Sequence, residues 1–434
     1  MKLLLSLCEG VAVCLPPFLL FSGVLLLIYL RGFPLAHPVR LARSLGAAGR
    51  TSLGALLLSL AGTLGVGNIA GVGAALAIGG EGAVLWMLVG GLAATVLKYA
   101  EVALALDARR AGAPSRGALD YIVPRLGRGA GLAFAALTLT LALTMGSLLQ
   151  GGVIAEALGQ AVGVRPLSTG LVLTAITLLL FLGGRRAITR LTGVLSPPLT
   201  LLYWAAAVYV IVCNAEALPH VCERILRGAF CPEGVVGGAA GLGMARALRA
   251  GIGKGLFSNE AGAGTAPFAH GGADTAPAVQ GALGVLEVAI DTLFLCALTA
   301  LAVLSALDPL PPLTGTALVA AAFESVLGRS AGLLLSLSVI LFSYATVACW
   351  AHYGQIALAE LSPPRGAGAA YALLFSLALT VGAILGAGDG FVLCDGVLAA
   401  MCFINLTALL RSLQRIREIT AEGGMIRKKK REQC

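Results

Sequence analysis

The chain has 434 residues, of which 58% are hydrophobic and only 12% charged, and its mean hydropathy is +0.93. Soluble domains carry about a quarter charged residues, so this composition excludes a water-soluble fold and indicates that lipid is the solvent. The net charge of +9 does not indicate a nucleic-acid partner, because the basic residues lie in short segments between apolar runs, where membrane topology explains them.

Eleven apolar runs follow one another along the chain, and crossing a bilayer takes about 20 residues. The runs are 11–30, 52–79, 83–106, 130–158, 167–184, 191–213, 237–268, 279–305, 331–358, 369–387 and 391–411. We therefore expect an all-α polytopic membrane protein that forms a single transporter domain over 1–434. Only Lys2 precedes the first run, whereas a basic loop from Arg31 to Arg50 follows it, which favours a retained helix over a cleaved signal.

The positive charges predict the orientation in the membrane. With the N-terminus outside, 21 of the 30 Lys and Arg fall in cytoplasmic loops and the C-terminal tail, and only 5 fall in external segments. This bias predicts a multi-pass protein of the cell (inner) membrane with a cytoplasmic C-terminus. The basic tail, 412–434, is expected to lie at the anionic inner leaflet. No obligate protein partner is indicated.

Two of the runs carry glycine and polar residues at mid-depth. The second contains GTLGVGNIAGV (62–72), and the seventh contains GKGLFSNEAGAGTAP (253–267). A backbone group freed in hydrocarbon costs several kcal/mol, so a broken helix is tolerated only around a buried polar ligand or cavity. Half-helix ends offer amides to a carboxylate and carbonyls to a cation. The alternative, glycines that only permit close packing, leaves Asn68, Ser258, Asn259 and Glu260 unexplained.

The two interrupted runs are five runs apart. This spacing predicts two inverted five-helix halves, 52–213 and 237–411, each beginning with a broken helix. The run 11–30 is then an extra N-terminal helix.

Several segments resemble the alanine or glycine:cation symporter family. They are TLGVGNIAGV (63–72), GGEGAVLWM (79–87), KYAE (98–101), KGLFSNEAGAGTAPFAH (254–270), QGALGV (280–285), IDT (290–292), FSYATVACWAHYGQ (342–355) and, more weakly, DGVLAAMCFINL (395–406). The resemblance implies a leucine-transporter-like fold. It also implies alternating-access import of a small neutral amino acid, alanine or glycine, coupled to sodium and without a further cofactor.

The resemblance further implies the residues of the site. The substrate residues are Gly67, Asn68, Gln150, Phe257, Ser258, Asn259, Thr346, Cys349 and Trp350. The sodium ligands are Thr63, Gly65, Asn68, Ser258, Asp291 and Thr346. Amides near the breaks are expected to hold the substrate carboxylate, and Phe257 and Trp350 to wall its side chain.

Three of the departures from the family pattern concern the predicted site. Ser147 replaces an Asn, and Cys349, in place of the common Gly, predicts a pocket at least as small as the family's. Ala345 replaces a Ser whose hydroxyl serves a sodium site, which leaves proton coupling as an alternative. Glu287 is the candidate proton acceptor in that case.

Other polar residues give further expectations. Lys98 and Glu101 are three apart on one helix face, which predicts an ion pair. Cys222 and Cys231 share a predicted external loop, where a disulfide could form. The four His form no HExxH-type pattern, so we expect neither an enzyme nor a transition-metal site. A non-transporting membrane protein of the same fold is the remaining alternative.

Overall fold

The computed structural model describes residues 2–46, 48–230, 238–328, 330–361, 364–388 and 390–426, and these residues form helices and connecting turns. The helices are α1 Lys2–Tyr29, α2 Pro38–Gly46, α3 Arg50–Thr63, α4 Val72–Gly79, α5 Ala83–Arg110, α6 Leu119–Leu126, α7 Arg128–Leu143, α8 Leu149–Val162, α9 Pro166–Cys213, α10 Leu218–Phe230, α11 Gly238–Asn259, α12 Ala266–His270, α13 Pro277–Val288, α14 Ala297–Ala306, α15 Gly315–Leu327, α16 Ser330–Glu360, α17 Ala367–Leu385, α18 Gly390–Leu410 and α19 Leu413–Glu422. Short π-helical segments precede α4, α8 and α14, at Gly67–Gly71, Thr144–Leu148 and Ala289–Cys296.

The predicted runs correspond to this helical framework, and the runs 167–184 and 191–213 are the two parts of α9, which is interrupted at Gly184 with φ 63°. Eight helices are long and apolar enough to cross a membrane, and two further bent pairs bring the total to ten within the described residues. The predicted run 237–268 is the eleventh and consists of α11 and α12. It contains Arg246, Arg249 and Lys254, which are more positive charges than any other run contains, so it is the least apolar of the eleven runs.

Both predicted helix breaks are present. The first lies between α3 and the Gly67–Gly79 helix, where the axis bends by 52°. The second follows Asn259, where Glu260, Gly262 and Gly264 adopt φ values of 52°, 90° and 77°. These left-handed angles cannot continue a right-handed helix, and glycine adopts them without a steric penalty. Helical hydrogen bonding resumes only at α12.

The segments between the predicted runs contain further helices. Those called loops or tail from sequence include α2, α10, α15 and α19. In α19, which lies in the predicted basic tail 412–434, Ile416 and Ile419 are buried. Apolar stretches this short lie below the length that hydropathy detects, so only tertiary packing reveals them. The basic run 427–431 and Cys231 lie outside the described residues, so the predicted disulfide remains a prediction.

The two interrupted helices lie at the centre of the bundle. α5 packs along α11 and α13, and α11 also packs against α4 and the Gly67–Gly71 segment. α16 contacts α3, α7, α8 and α9, which places its middle beside the first break. Both breaks are therefore enclosed by other helices, as unsatisfied backbone in a bilayer requires.

Glycines set the closest helix crossings. Gly382 of α17 lies against the Leu148 carbonyl so closely that an added Cβ would overlap the carbonyl oxygen. Gly151 of α8 lies in the same way against Leu379 of α17. Close backbone approach at small residues is the usual packing of helices in lipid, where the hydrophobic effect does not drive association.

We predict that Gly382→Ala destabilises the protein, because the new methyl group must push α17 away from α8. Overpacking of this kind costs about 1–3 kcal/mol and should lower the melting temperature of the purified protein by several degrees. Gly368→Ala, in the first turn of the same helix with open space around it, is the control and should leave the melting temperature unchanged or higher. Equal effects of the two substitutions would show that the crossing is not tight.

Candidate functional site

Asn68 connects the two breaks. Its Oδ1 accepts a hydrogen bond from the Gly65 amide at 2.9 Å, within the first break. Its Nδ2 donates to Ser258 Oγ at 2.9 Å and to Asp291 Oδ1 at 2.7 Å. All of these groups are buried. One amide side chain therefore satisfies backbone freed by the first interruption and also holds the residues that lead into the second.

The Asp291 carboxylate accepts further hydrogen bonds from neighbouring side chains. Ser258 Oγ donates to its Oδ2 at 2.9 Å, and Thr292 Oγ1 donates to the same oxygen at 2.8 Å. Asn259 Nδ2 donates in turn to Thr292 Oγ1 at 2.9 Å. A fully buried carboxylate, two hydroxyls and two amides thus form one cluster. These oxygen donors suit a hard cation such as sodium or a proton.

Most of the predicted ion ligands are connected. Asn68, Ser258 and Asp291 are in direct contact, as described above. Gly65 donates its amide to Asn68 and lies beside Thr346, because an added Cβ on this glycine would be 2.7 Å from Thr346 Oγ1. The Thr63 hydroxyl does not join them, since it donates to Ser59 and Leu60 carbonyls of its own helix at 3.3 and 3.4 Å.

The predicted substrate residues border the same region. Gly67 touches Ser258, and an added Cβ would be 2.7 Å from the Ser258 Cα. Trp350 of α16 packs against Gly146, which lies one turn before Gln150. Gln150 Nε2 donates to the Met145 carbonyl at 3.1 Å, while its buried Oε1 lacks a hydrogen-bond partner among the described residues. Gln150 therefore retains an acceptor for a ligand donor.

Cys349 faces away from this cluster. Its thiol donates to the Leu58 carbonyl of α3 at 3.1 Å, and its Cβ approaches Gly62, so it fills the contact between α16 and α3. Ser147, the second departure from the family pattern, donates its hydroxyl to the Phe375 carbonyl of α17. Its short side chain reaches this backbone acceptor directly and ties the π-helical segment to α17.

The backbone of the second break has its own partners. Glu101 Oε1 accepts from the Gly264 amide at 3.0 Å and from Asn405 Nδ2 at 2.6 Å. Asn405 Nδ2 also donates to the Gly262 carbonyl at 2.8 Å. The predicted Lys98–Glu101 ion pair is wrong: Lys98 Nζ lies 3.0 Å from Glu287 Oε1 on α13. Helical spacing makes Lys98 and Glu101 neighbours, but the freed amide of Gly264 attracts the Glu101 carboxylate.

A cavity of about 730 Å³ lies on one side of the breaks, the side that the charge bias predicts to face outward. Ala70 and Leu256 line it next to the breaks, together with Phe391 of α18. Lys254 Nζ and Asp395 Oδ2, also in the lining, form an ion pair at 2.6 Å that joins α11 to α18.

Aromatic rings lie below this ion pair. Lys254 Nζ is 5.5 Å from the centre of the Phe257 ring and 5.6 Å from that of Phe391. The two rings are themselves 5.6 Å apart. The Lys254–Asp395 ion pair and Phe391 line the cavity, and Phe257 immediately precedes Ser258 of the polar cluster. On the other side of the cluster, Tyr353 packs between Trp350 and Phe268, with ring centres 5.5 Å away in each case.

Sequence reasoning missed some members of the site. Thr292 bridges Asp291 and Asn259, and Cys296 Sγ lies 3.4 Å from Ser258 Oγ and 3.5 Å from Asn68 Nδ2. Thr292 belongs to the quoted IDT segment, so that motif contained a signal. Cys296 had none, because it lies in an apolar run and reaches the cluster only through the π-helical turn at Ala289–Cys296.

The fold has a counterpart among solved structures. A crystal structure of an Eremococcus coleocola manganese transporter, in complex with an aromatic bis-isothiourea substituted compound, matches with a TM-score of 0.53 and 15% identity. The match covers 82% of this chain and 75% of the other. The likeness shows the fold alone, which is leucine-transporter-like. This fold, with two interrupted helices around a buried polar cluster, is that of a polytopic membrane protein.

The chain belongs to the sodium:alanine symporter family, whose profile matches residues 8–432. The sodium/alanine symporter AgcS of Methanococcus maripaludis is 33% identical over 372 residues, covering 82% of this chain and 80% of that one. A probable sodium/glutamine symporter, GlnT of Bacillus subtilis, is 31% identical over 386 residues, covering 86% and 80%. An uncharacterized transporter of Haemophilus influenzae is 32% identical over 411 residues, covering 91% and 90%. Membership places the chain among sodium-coupled amino-acid symporters.

We predict that Gly67→Ala abolishes amino-acid uptake, because its methyl group would force the first break away from Ser258. Gly71→Ala is a matched control in the same five-residue segment, where the nearest atom is 3.8 Å from an added Cβ, and should retain most of the uptake. Uptake is measured in cells or proteoliposomes and normalised to folded protein by size-exclusion chromatography. Full uptake by folded Gly67→Ala would contradict the close approach of the breaks.

Proposed function

We propose that the protein imports a small neutral amino acid, alanine or glycine, coupled to sodium by alternating access. The observation that carries this proposal is the Asn68–Ser258–Asp291 cluster, which joins two interrupted helices below a cavity. A carrier needs ligand groups that both halves of the fold share, so that ligand binding favours one arrangement of the halves.

The first break suits the substrate carboxylate. The helix that begins at Gly67 has amides in its first turn without intrahelical acceptors, and a helix N-terminus favours an anion. The free Oε1 of Gln150 is an acceptor for the substrate ammonium group. A zwitterion therefore fits with its two charges on different elements.

The size of the substrate is limited by aromatic packing. Trp350 lies against Gly146 without space for a methyl group, and Phe257 packs against Phe391. These contacts favour alanine or glycine over the longer side chain of glutamine, the substrate in the name of the Bacillus subtilis relative. Glutamine is for this reason the competitor that an uptake assay must include.

Sodium suits the oxygen atoms around Asp291. Asn68 Nδ2 now donates to Asp291 Oδ1. The Asp291 carboxylate, Ser258 Oγ and Thr292 Oγ1 offer oxygen to a cation there, while Asn68 Oδ1 continues to accept from the Gly65 amide. Proton coupling is the second candidate, because Ala345 lacks the hydroxyl of the family's Ser beside Thr346. A Bacillus subtilis relative carries the name putative sodium/proton-dependent alanine carrier.

Uptake of labelled alanine into proteoliposomes tests the function. An inward sodium gradient should drive accumulation, with unlabelled alanine and glycine competing and glutamine competing weakly. A proton gradient without sodium is the comparison. Accumulation driven by protons alone would replace sodium as the coupling ion, and absence of transport under every gradient would refute the proposal.

Ala345→Ser should strengthen sodium coupling. The new hydroxyl supplies an oxygen beside Thr346 in a fully buried position of α16, so we expect half-maximal uptake at a sodium concentration several-fold lower. Ala357→Ser adds the same group at a buried position more than three turns further along α16 and is the control. An unchanged sodium dependence in Ala345→Ser would show that sodium does not bind beside Thr346.

The orientation follows from the charge bias, with the N-terminus outside and the C-terminus in the cytoplasm. The cavity then faces outward, which suits an importer awaiting its substrate. A fluorescent protein fused after Cys434 should fluoresce, whereas alkaline phosphatase fused there should be inactive. The reverse pattern would contradict the orientation and the direction of transport.

A further inference from the structure

Lys98 is a buried cation beside the second break that the predicted site does not include. It lies on α5 with its side chain fully buried. Its Nζ donates to the Asn259 carbonyl at 2.7 Å and lies 3.0 Å from Glu287 Oε1. A buried ammonium group needs such partners, because an unpaired charge in the interior costs several kcal/mol.

The carbonyl that Lys98 contacts is the end of a helix. α11 ends at Asn259, and the left-handed backbone of Glu260 turns the chain away from the helix axis. The last carbonyls of a helix lack intrahelical donors and carry partial negative charge. In lipid no water can satisfy them. The Lys98 ammonium group therefore caps the half-helix at the depth where it was interrupted.

Asn259 also links this cap to the candidate cation site. Its side chain donates to Thr292 Oγ1, which donates to Asp291 Oδ2. The preceding residue, Ser258, donates to the same Asp291 oxygen. The position of the Asn259 backbone therefore determines where two of the donors around Asp291 lie.

Glu287 gives Lys98 a countercharge but does not contact the break in the same way. Its Oε2 lies 3.3 Å from His270 Nε2, and His270 Nδ1 lies 2.6 Å from Gln280 Nε2. Lys98 thus has two separable roles, neutralising Glu287 and fixing Asn259. The backbone of Gly284 also packs against the aliphatic part of the Lys98 side chain, since a Cβ added to Gly284 would be 3.3 Å from Lys98 Cγ.

We propose that Lys98 is a positioning residue that sets the cation affinity of the Asn68–Ser258–Asp291 cluster by capping α11 at Asn259. The proposal rests on the proposed function in so far as it assumes that this cluster binds the coupling ion. Residues that orient ligand groups from outside a metal site typically change metal affinity about 10–100-fold when replaced.

Four variants separate the two roles of Lys98. Lys98→Gln removes the ammonium group that caps α11 and leaves Glu287 without its positive partner. Glu287→Gln removes the carboxylate and keeps the ammonium group. The double variant removes both charges, so the pair is neutral and the cap is absent. Arg415→Gln/Asp107→Asn is the control: it removes another ion pair of α5, with N–O distance 2.6 Å, that lies away from the breaks.

The first readout is sodium-dependent thermal stabilisation of purified protein, with choline as the reference ion, since a ligand that binds the folded state raises its melting temperature. We expect a half-saturating sodium concentration raised about tenfold or more in Lys98→Gln and in the double variant. The control should stay near wild type, and Glu287→Gln should be shifted less than Lys98→Gln, because the ammonium group of Lys98 keeps its bond to the Asn259 carbonyl. The double variant should be more stable in choline than Lys98→Gln, because Glu287 no longer remains as a buried carboxylate that has lost the ammonium group of Lys98.

A double variant with wild-type sodium dependence would overturn the proposal, because Lys98 would then act only as a countercharge. Unchanged sodium dependence in Lys98→Gln would overturn it as well.

The second readout is hydrogen–deuterium exchange of the segment 253–266, which reports the cap without reference to any ion. Exchange should be faster in Lys98→Gln and in the double variant than in wild type, and unchanged in the control. If the melting temperature of the wild-type protein did not respond to sodium, sodium would be refuted as the proposed ion. The hydrogen–deuterium exchange of the segment 253–266 would then decide the role of Lys98. Unaltered exchange in both Lys98 variants would overturn the cap.

Discussion

The structure depends on satisfying backbone groups that two helices leave free in the middle of the membrane. Asn68 meets this requirement at the first break, where its Oδ1 accepts the Gly65 amide. The same side chain donates to Ser258 and Asp291, so the first break is fixed only when the second is close to it. Because water is absent at this depth, each such bond contributes more than an equivalent bond at a surface. The site and the fold are therefore stabilised by the same atoms.

The second break shows the same principle with charged groups. Its amide at Gly264 is held by Glu101, and its carbonyl at Asn259 is held by Lys98. Both come from α5, which packs along α11 and α13 and so forms a scaffold beside the interruption. The cavity is lined in part by Lys254 and Asp395, whose ion pair connects α11 to α18. The polar residues of the two breaks thus lie between α5, which holds the second break, and the cavity, which is open to a ligand.

Much of this architecture could be predicted from the sequence. Apolar runs gave the helices, and glycine with polar residues at mid-run gave both breaks, since few other sequences tolerate an interruption in lipid. The contacts of Asn68 with Ser258 and Asp291 were expected from the motifs. The partner of Lys98 was not, because sequence spacing reveals neighbours within one helix, and Glu287 belongs to another. Cys296 and the short helices α10 and α19 depend on tertiary packing, for which periodicity carries no signal. The boundaries of the two five-helix halves remain a prediction.

The most direct test of the central claim is to locate the bound cation. A crystal structure of the protein with thallium in place of sodium, and with alanine present, would show the ion by anomalous scattering. The account predicts a peak within coordination distance of the Asp291 carboxylate and Ser258 Oγ. A peak remote from both breaks, in protein that still transports alanine with sodium, would contradict it.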